Sequence, residues 1–233
     1  MKRMDGTAVI KVLIADTENL KDEKLFYRFY QTIPLWRREK IDRMRFQNDK
    51  CLSLGAWILL REGLREQGIR ENEIEIAYAD GGKPYLKNRT GLFFNLSHSY
   101  ERVMCILSDR EAGCDVEKKK TVNPNVAKRF FHPAEYKYMM GQKTLPEREE
   151  MFCRMWTLKE SFVKMTGEGM RRPFNEFCMV IGENEIVLEQ NEKRQGKYFF
   201  KEYQLADGYY YACCCLSSDF ENTVRKVELC ENL

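Results

Sequence analysis

The sequence predicts an α+β protein of two similar halves, each a small antiparallel sheet packed with helices, with the active site at their junction. In each half a tryptophan-containing helix precedes a glycine-marked turn and several strand patterns. The two helices are Lys50–Arg65 and Met151–Thr166. This internal similarity predicts two comparable units, residues 1–117 and 118–233, with a crevice between them.

The central helix pattern carries the first candidate functional group. Met151–Lys164 has apolar residues at helical spacing and is flanked by Pro146 and Gly167. The apolar side chains fall on two sides, so we expect this helix to pack between two layers. Glu160 lies beside the second apolar patch, with Lys164 one turn further on. Because a buried carboxylate needs a cation, a metal or hydrogen bonds, Glu160 is a candidate functional group.

Two more carboxylates lie on one face of a predicted strand. Gly113–Glu117 follows the strand Cys105–Leu107 after a polar turn, and strand alternation places Asp115 and Glu117 about 7 Å apart on one face. Such carboxylates repel each other unless a cation lies between them. Magnesium suits this arrangement because it binds a few carboxylates and completes its shell with water and phosphate oxygens. An exposed strand face with ordinary surface acids explains the spacing equally well.

Composition restricts the class of protein. A hydrophobic content of 43% and a charged content of 32% indicate a globular chain, and a net charge of +3 is too small to argue for a nucleic-acid partner. No run approaches the ~20 apolar residues that span a bilayer, and the charged N-terminus does not resemble a signal peptide. We therefore expect no membrane partner and a cytoplasmic location.

The nine cysteines lie in apolar segments without paired CxxC spacing, which predicts reduced core thiols.

Shorter patterns predict the remaining elements. Strands are expected over Ala8–Ala15, Ile74–Ala79, Leu92–Leu96, Glu176–Ile181, Glu185–Glu189, Tyr198–Leu205 and Tyr209–Leu216. Helices are expected over Leu20–Gln31 and Pro124–Phe131, and another begins near His132. The tail from Ser217 onward shows no informative pattern.

Two other segments carry candidate ligand-binding groups. Leu35–Asp49 is rich in Arg and Lys, which is typical either of a solvated helical face or of a phosphate-binding surface. Asn95–Ser99 ends a predicted strand and contains His98; a single histidine is more often a hydrogen-bonded structural residue than a ligand. Its serines would serve equally well as turn formers. Glu135 is explained by capping of a predicted helix.

Four short motifs occur in a fixed order along the chain. They are NLSHS at Asn95–Ser99, GCDVE at Gly113–Glu117, FFHPAEY at Phe130–Tyr136 and WTLKESFVK at Trp156–Lys164. Together they resemble the surfactin-synthetase-activating type of 4'-phosphopantetheinyl transferase, from about Pro34 to Tyr211. In that family two similar α+β halves bind coenzyme A between them, together with magnesium. The family moves the phosphopantetheine arm onto a serine of an acyl or peptidyl carrier protein.

The resemblance implies a set of site residues. Asp115, Glu117 and Glu160 match the magnesium ligands of the family. The positions that match coenzyme A contacts are Arg37, Lys40 and Ser53 for the nucleotide phosphates, Lys83 of GGKPY, Ser97 and His98 for the nucleotide and its 3'-phosphate, and Lys159 and Lys164 near the diphosphate. The first three matches require a one-residue shift before Gly55, and Ser53 replaces a threonine. Val116 replaces the isoleucine that is frequent in the family.

The resemblance also implies catalytic roles for Glu160, Lys164 and Asp115. Attack of a serine hydroxyl on the β-phosphorus requires neutralisation of the diphosphate charge, which magnesium, Lys159 and Lys164 would supply. Glu160, or a water that it holds, is the candidate general base, and Glu135 is a weaker candidate. The leaving group would be 3',5'-ADP.

Two alternative functions stay open at this point. Asp115, Glu117 and Lys119 also fit the acid-x-Lys strand of a magnesium-dependent nuclease, although no DNA-binding element is evident. The second alternative is a non-catalytic module that binds coenzyme A or a carrier protein. The presence of all the acidic and basic residues expected of an active enzyme argues against this alternative. Fatty-acid, polyketide and peptide-synthetase carriers are all compatible with the sequence. A monomer is expected because two halves of one chain can supply the whole crevice.

Overall fold

The computed structural model describes residues 10–121 and 123–230. The helices are α1 (Glu23–Thr32), α2 (Leu35–Asp42), α3 (Gln47–Arg65), α4 (Pro124–Phe130), α5 (Pro133–Met140) and α6 (Leu145–Thr166). The strands are β1 (Lys11–Asp16), β2 (Ile76–Tyr78), β3 (Pro84–Leu86), β4 (Phe93–Ser99), β5 (Arg102–Ser108), β6 (Ala112–Lys118), β7 (Cys178–Ile181), β8 (Ile186–Gln190), β9 (Lys193–Arg194), β10 (Phe199–Tyr203), β11 (Tyr209–Cys215) and β12 (Arg225–Lys226). Within these ranges, no helix is both long and apolar enough to cross a membrane.

Two sheets form the framework of the molecule. The first has the strand order β12–β1–β5–β4, in which β12 lies parallel to β1 and the other neighbours are antiparallel. The second is antiparallel, with the order β10–β11–β6. The hairpin β2–β3 and the small sheet β7–β8–β9 lie outside these two. The predicted α+β fold of two halves, each a small antiparallel sheet packed with helices, is confirmed.

Strand alternation explains how the sheets and the two long helices are layered. On β1, Leu13 belongs to the core beneath α3, whereas Ile14 belongs to the core between the two sheets. On β11, Cys213 faces that same intersheet core, whereas Cys214 packs beneath α6. Because both faces of these strands are buried, their sequences are continuous apolar runs rather than alternating patterns. The layers therefore follow the order α3, first sheet, second sheet, α6.

The cysteines are free thiols. Eight are buried and Cys230 is exposed. Burial raises the pKa of the Cys114 thiol to about 12, so this thiol is protonated at neutral pH and packs as an apolar group.

The central helix is longer than the sequence indicates. It begins at Leu145 instead of Met151, because the Thr144 side chain accepts a hydrogen bond from the Glu147 amide at 3.3 Å and the Glu147 carboxylate accepts one from the Thr144 amide at 2.9 Å. This capping box places Pro146 in the first turn, where the missing N–H costs no helical hydrogen bond. The proline is part of the helix start and not its upstream boundary.

Two predicted strands are placed differently by the tertiary structure. The strand that carries Asp115 was expected to close the first half, but β6 is hydrogen-bonded to β11 of the second sheet. The segment Asn95–Ser99 lies inside β4 and not beyond its end. Of the first predicted strand, Ala8 and Val9 lie outside the described residues.

The tail has a structural role that its sequence does not indicate. Strand β12 pairs with β1, so the end of the chain returns to the first sheet. Val227 and Leu229 are buried in the core beneath α3. Residues from the C-terminal part of the chain therefore complete the core of the N-terminal half.

A buried ion pair connects α5 and α6. The ammonium of Lys159 lies 2.9 Å from the Glu135 carboxylate and donates to the carbonyl oxygens of Phe174 at 2.7 Å and Phe177 at 2.6 Å. Glu135 also accepts a hydrogen bond from the Met179 amide at 2.6 Å. Both charged side chains are fully buried. The pair fixes α5, α6 and the start of β7 to one another.

Substitution of Gly113 should destabilise the protein strongly. A Cβ atom at this position of β6 would overlap the Ser161 carbonyl oxygen and the Met165 amide nitrogen of α6. We expect Gly113→Ala to lower the free energy of unfolding by about 1–3 kcal/mol, measured by urea denaturation, because strand and helix must separate. Gly196→Ala is the matched control, since a Cβ there meets open space. Equal stabilities of the two variants would contradict the direct contact of the two backbones.

Removal of the buried cation should be costly in the same way. We expect Lys159→Met to lower the free energy of unfolding by about 3–5 kcal/mol because it leaves Glu135 buried without a cation. The same substitution at Lys21, which pairs with Glu18 on the surface, should leave stability nearly unchanged because water screens an exposed ion pair. The double variant Lys159→Met/Glu135→Gln should recover part of the loss. A Lys159→Met variant as stable as Lys21→Met would refute the structural role of the pair.

Candidate active site

The site is built where β4 of the first sheet meets β6 of the second. Three β4 side chains accept hydrogen bonds from backbone amides of β6, and we call this contact the seam. Its pairs are Asn95 Oδ1 with Cys114 N at 3.0 Å, Ser97 Oγ with Val116 N at 3.3 Å and Ser99 Oγ with Lys118 N at 3.2 Å. The opposite edge of β6 is paired with β11. The seam therefore supplies the acceptors that an unpaired strand edge would otherwise lack.

Alternation along β4 gives its two faces different tasks. Asn95, Ser97 and Ser99 face the seam, whereas Leu96 and His98 line a cavity on the other side of the strand. One strand thus connects two parts of the site, a carboxylate cluster next to the seam and a cavity beside α2 and α3. The serines of this motif are strand residues that bind neighbouring groups, and turn formation does not explain them.

The carboxylate cluster is centred on Asp115. Its Oδ1 accepts hydrogen bonds from Ser97 Oγ at 2.7 Å and from Lys164 Nζ at 2.6 Å. Its Oδ2 is buried and has no hydrogen-bond partner among the described residues. Glu117 lies further along the same face of β6 and accepts from Ser99 Oγ at 3.1 Å. The seam serines therefore hold both carboxylates of β6.

Helix α6 brings Glu160 and Lys164 to this cluster. Burial raises the pKa of Glu160, and the negative charges of Asp115 and Glu117 add to this effect. Together they bring the pKa to about 6. Burial opposes the charge on Lys164, but the adjacent Asp115 carboxylate outweighs it and raises the Lys164 pKa. Lys164 is therefore a permanent cation, whereas Glu160 is ionised at neutral pH yet basic enough to accept a proton.

The donor set of the cluster fits a magnesium ion. Within the described residues, no three His, Cys, Asp or Glu side chains form a ready-made metal centre. Lys164 contacts Asp115, and Lys120 Nζ lies 3.1 Å from Glu117. The Oδ2 atom of Asp115 nevertheless has no hydrogen-bond partner among the described residues, so it is available as a ligand. A divalent cation would also offset the mutual repulsion of the three carboxylates. Oxygen ligands of this kind are those that Mg²⁺ prefers.

A cavity of about 450 Å³ lies on the other side of β4. Four of the predicted coenzyme A residues line it, namely Arg37, Lys40, Ser53 and His98. The Arg37 guanidinium is buried, donates to the carbonyl oxygen of Ser53 at 2.8 Å and to its Oγ at 3.0 Å, and has an Nε without a partner among the described residues. Desolvation and the charge of Lys164 lower the pKa of His98. The cavity thus offers two basic side chains and a mostly neutral imidazole.

The other four predicted coenzyme A contacts are not among the residues that line this cavity, and Lys164 is the one already described in the carboxylate cluster. The prediction that Lys159 binds coenzyme A is wrong. Its three N–H donors are used by Glu135 and two carbonyl groups, so its ammonium is buried away from the site. The Glu135 side chain is fully buried with it. Ser97 lies in the carboxylate cluster and not in the cavity. Lys83 donates to Glu111 at 2.5 Å and to the Met165 carbonyl at 2.7 Å, so it ties the start of β3 to the end of α6.

Several groups at the site are not indicated as functional by the sequence. Asn95 and Ser99 complete the seam, and Trp36 and Tyr78 form part of the cavity wall. The alternating spacing of polar residues in Asn95–Ser99 was an available signal, since period two on a strand puts them on one face. Nothing in the local sequence indicates that Trp36 and Tyr78 line the same cavity.

Comparison with known proteins gives matches over most of the chain. The model described as 4'-phosphopantetheinyl transferase, N-terminal, matches residues 21–109, and the model of the 4'-phosphopantetheinyl transferase superfamily matches residues 111–214. The boundary between the two matches lies in the turn before β6. Both halves of the chain therefore match the same class of enzyme independently.

Individual relatives agree with the family models. The 4'-phosphopantetheinyl transferase Sfp of Bacillus subtilis is 29% identical over 86% of this chain and 89% of its own length. The 4'-phosphopantetheinyl transferase gsp of Aneurinibacillus migulanus is 28% identical over 96% of this chain and 93% of its own length. The 4'-phosphopantetheinyl transferase HetI of Nostoc sp. is 35% identical over 45% of this chain and 46% of its own length. The chain therefore belongs to the 4'-phosphopantetheinyl transferase superfamily, as an enzyme of the surfactin-synthetase-activating type.

Proposed function

We propose that this chain transfers the 4'-phosphopantetheine group of coenzyme A to a serine of an acyl or peptidyl carrier protein, depends on Mg²⁺ and releases 3',5'-ADP. One observation carries the proposal. A cavity lined by Arg37 and Lys40 lies on one side of strand β4, and a cluster of three carboxylates with Lys164 lies on the other. A diphosphate ester that carries a nucleotide needs this combination of groups.

The cavity would take the nucleotide part of coenzyme A. Arg37 and Lys40 are cations that pair with phosphate oxygens, and the unpartnered Nε of Arg37 is a donor ready for such a group. Ser53 holds the Arg37 guanidinium in place from α3. His98 would approach the nucleotide from β4. The Arg37 guanidinium is therefore fixed by the fold before a ligand binds.

The carboxylate cluster would carry the chemistry. Asp115, Glu117 and Glu160 would hold Mg²⁺, which when bound neutralises charge on the diphosphate. Lys164 adds a positive charge next to Asp115 that stabilises the developing charge on the phosphoryl group. The serine oxygen forms a bond to the β-phosphorus as the bond from that phosphorus to the bridging oxygen of 3',5'-ADP breaks.

Glu160 is the proposed general base. With its pKa raised to about 6 it is ionised at neutral pH, and it can take the proton of the attacking serine hydroxyl directly or through one water molecule. The departing 3',5'-ADP leaves as a phosphate oxygen of low basicity and needs little protonation. Lys164, whose pKa is raised, stays charged throughout.

We further propose that the two halves of the chain, with β6 in the second half, act together as one monomeric enzyme. Both the cavity and the carboxylate cluster are formed within a single chain. Pairing of β12 with β1 ties the end of the second half to the first. Fatty-acid, polyketide and peptide-synthetase carriers are all compatible with this proposal.

The direct test is intact-mass spectrometry of apo carrier proteins incubated with this protein, coenzyme A and Mg²⁺. We expect a gain of one phosphopantetheinyl group with release of 3',5'-ADP, abolished by EDTA and by Asp115→Asn because the cluster then loses charge and a ligand. Asp109→Asn, in the turn before β6, is the matched control and should keep the activity. Bound coenzyme A with no transfer to any carrier would refute the reaction and favour a non-catalytic binding module.

The role of Glu160 is tested by Glu160→Gln. We expect kcat to fall by about 10²–10⁴-fold, since the amide cannot accept the serine proton. Glu150→Gln, an exposed carboxylate on the same helix, should leave kcat unchanged. Binding of Mn²⁺ to each variant, followed by electron paramagnetic resonance, separates loss of a ligand from loss of a base. Near-full transfer by Glu160→Gln would rule out both roles.

A further inference from the structure

A tryptophan on α2 is exposed inside the cavity. Trp36 keeps 40% of its surface accessible and lines the cavity together with Arg37 and Lys40 of the same helix. A large indole left in contact with solvent at a concave site is an uncommon use of a residue that proteins usually bury. Packing within the protein therefore covers only part of the indole, and the exposed part is available to a ligand.

The position of this indole is fixed from behind. Trp57 of α3 contacts Trp36 edge to face, with ring centroids 5.2 Å apart and planes at 88°. Trp57 is itself buried, and its Nε1 donates to Glu71 Oε1 at 2.9 Å. The Arg37 guanidinium lies 5.7 Å from the centre of the same Trp57 ring. One buried tryptophan thus positions both an aromatic surface and a cation.

The cavity wall combines aromatic and cationic groups in a pattern that matches one class of ligand. Besides Trp36 it contains the exposed ring of Tyr78, against which Lys40 lies at 5.7 Å from the ring centre. An apolar chain would not be matched by the Arg37 and Lys40 charges, and a bare phosphate would not use the indole. A purine nucleotide offers a flat base for stacking and phosphates for the cations.

We propose that Trp36 is a specificity-determining residue that stacks on the adenine base of coenzyme A and of 3',5'-ADP. The inference rests on the proposed function, because it takes coenzyme A as the substrate. It adds that recognition of the nucleotide depends on a base–indole contact supported by Trp57, besides the phosphate contacts. The phosphopantetheine arm, which lacks the base, gains nothing from this residue.

The test is isothermal titration of wild type and Trp36→Leu with three ligands: coenzyme A, 3',5'-ADP and phosphopantetheine. Stacking on an aromatic side chain contributes about 1–3 kcal/mol per base, so we expect the Kd of both nucleotides to rise by roughly 5- to 150-fold. The Kd of phosphopantetheine should not change. Trp36→Phe should recover most of the affinity because it restores an aromatic face. In the transferase assay, KM for coenzyme A should rise more than kcat falls.

Leu35→Ala is the matched control, since Leu35 is an exposed neighbour on α2 outside the cavity lining. A Trp36→Leu variant that binds 3',5'-ADP as tightly as wild type would overturn the inference while leaving the transferase proposal intact. Equal weakening of phosphopantetheine would also overturn it, because that result indicates a general distortion of the site. A wild-type chain that binds neither coenzyme A nor 3',5'-ADP would overturn the proposed function and this inference with it.

Discussion

The seam between β4 and β6 is the interaction on which the rest of the site depends. Three backbone amides on the edge of β6 find acceptors in the side chains of Asn95, Ser97 and Ser99. A buried amide left without an acceptor costs about 1–3 kcal/mol, so the seam holds the two sheets in one register. The serines also donate to Asp115 and Glu117. The same hydrogen bonds that join the halves therefore orient the reactive carboxylates.

Helix α6 packs on the second sheet, and at one glycine no side chain separates the two backbones. Gly113 of β6 lies against the main chain of α6 at Ser161 and Met165. This approach brings Glu160 and Lys164 within reach of the Asp115 carboxylate. Lys83 of the first half donates to the Met165 carbonyl near the end of the same helix. Close packing and charge pairing therefore fix the helix from both halves.

Local sequence patterns predicted the elements of the fold well, and they failed where the partner of a group lies far along the chain. Asp115 and Glu117 share a face because strand geometry alternates, whatever lies opposite. The role of Lys159 could not be predicted from the sequence, because Lys159 and Lys164 are basic residues in the same predicted helix and both are flanked by apolar residues. Burial decides between them: Lys159 is enclosed by Glu135 and two carbonyl groups, whereas Lys164 reaches Asp115.

The sequence by itself determined the fold class, most helix and strand positions, the carboxylate face of β6 and the family resemblance of the motifs. These depend on backbone periodicity and on residues close together in the chain. Only the tertiary structure decided that β6 pairs with β11, that β12 returns to β1, that Asn95 and Ser99 complete a strand edge, and that Trp36 faces a cavity fixed by Trp57. Each of these is a contact between distant segments, and its free energy depends on which surfaces the folded chain brings together.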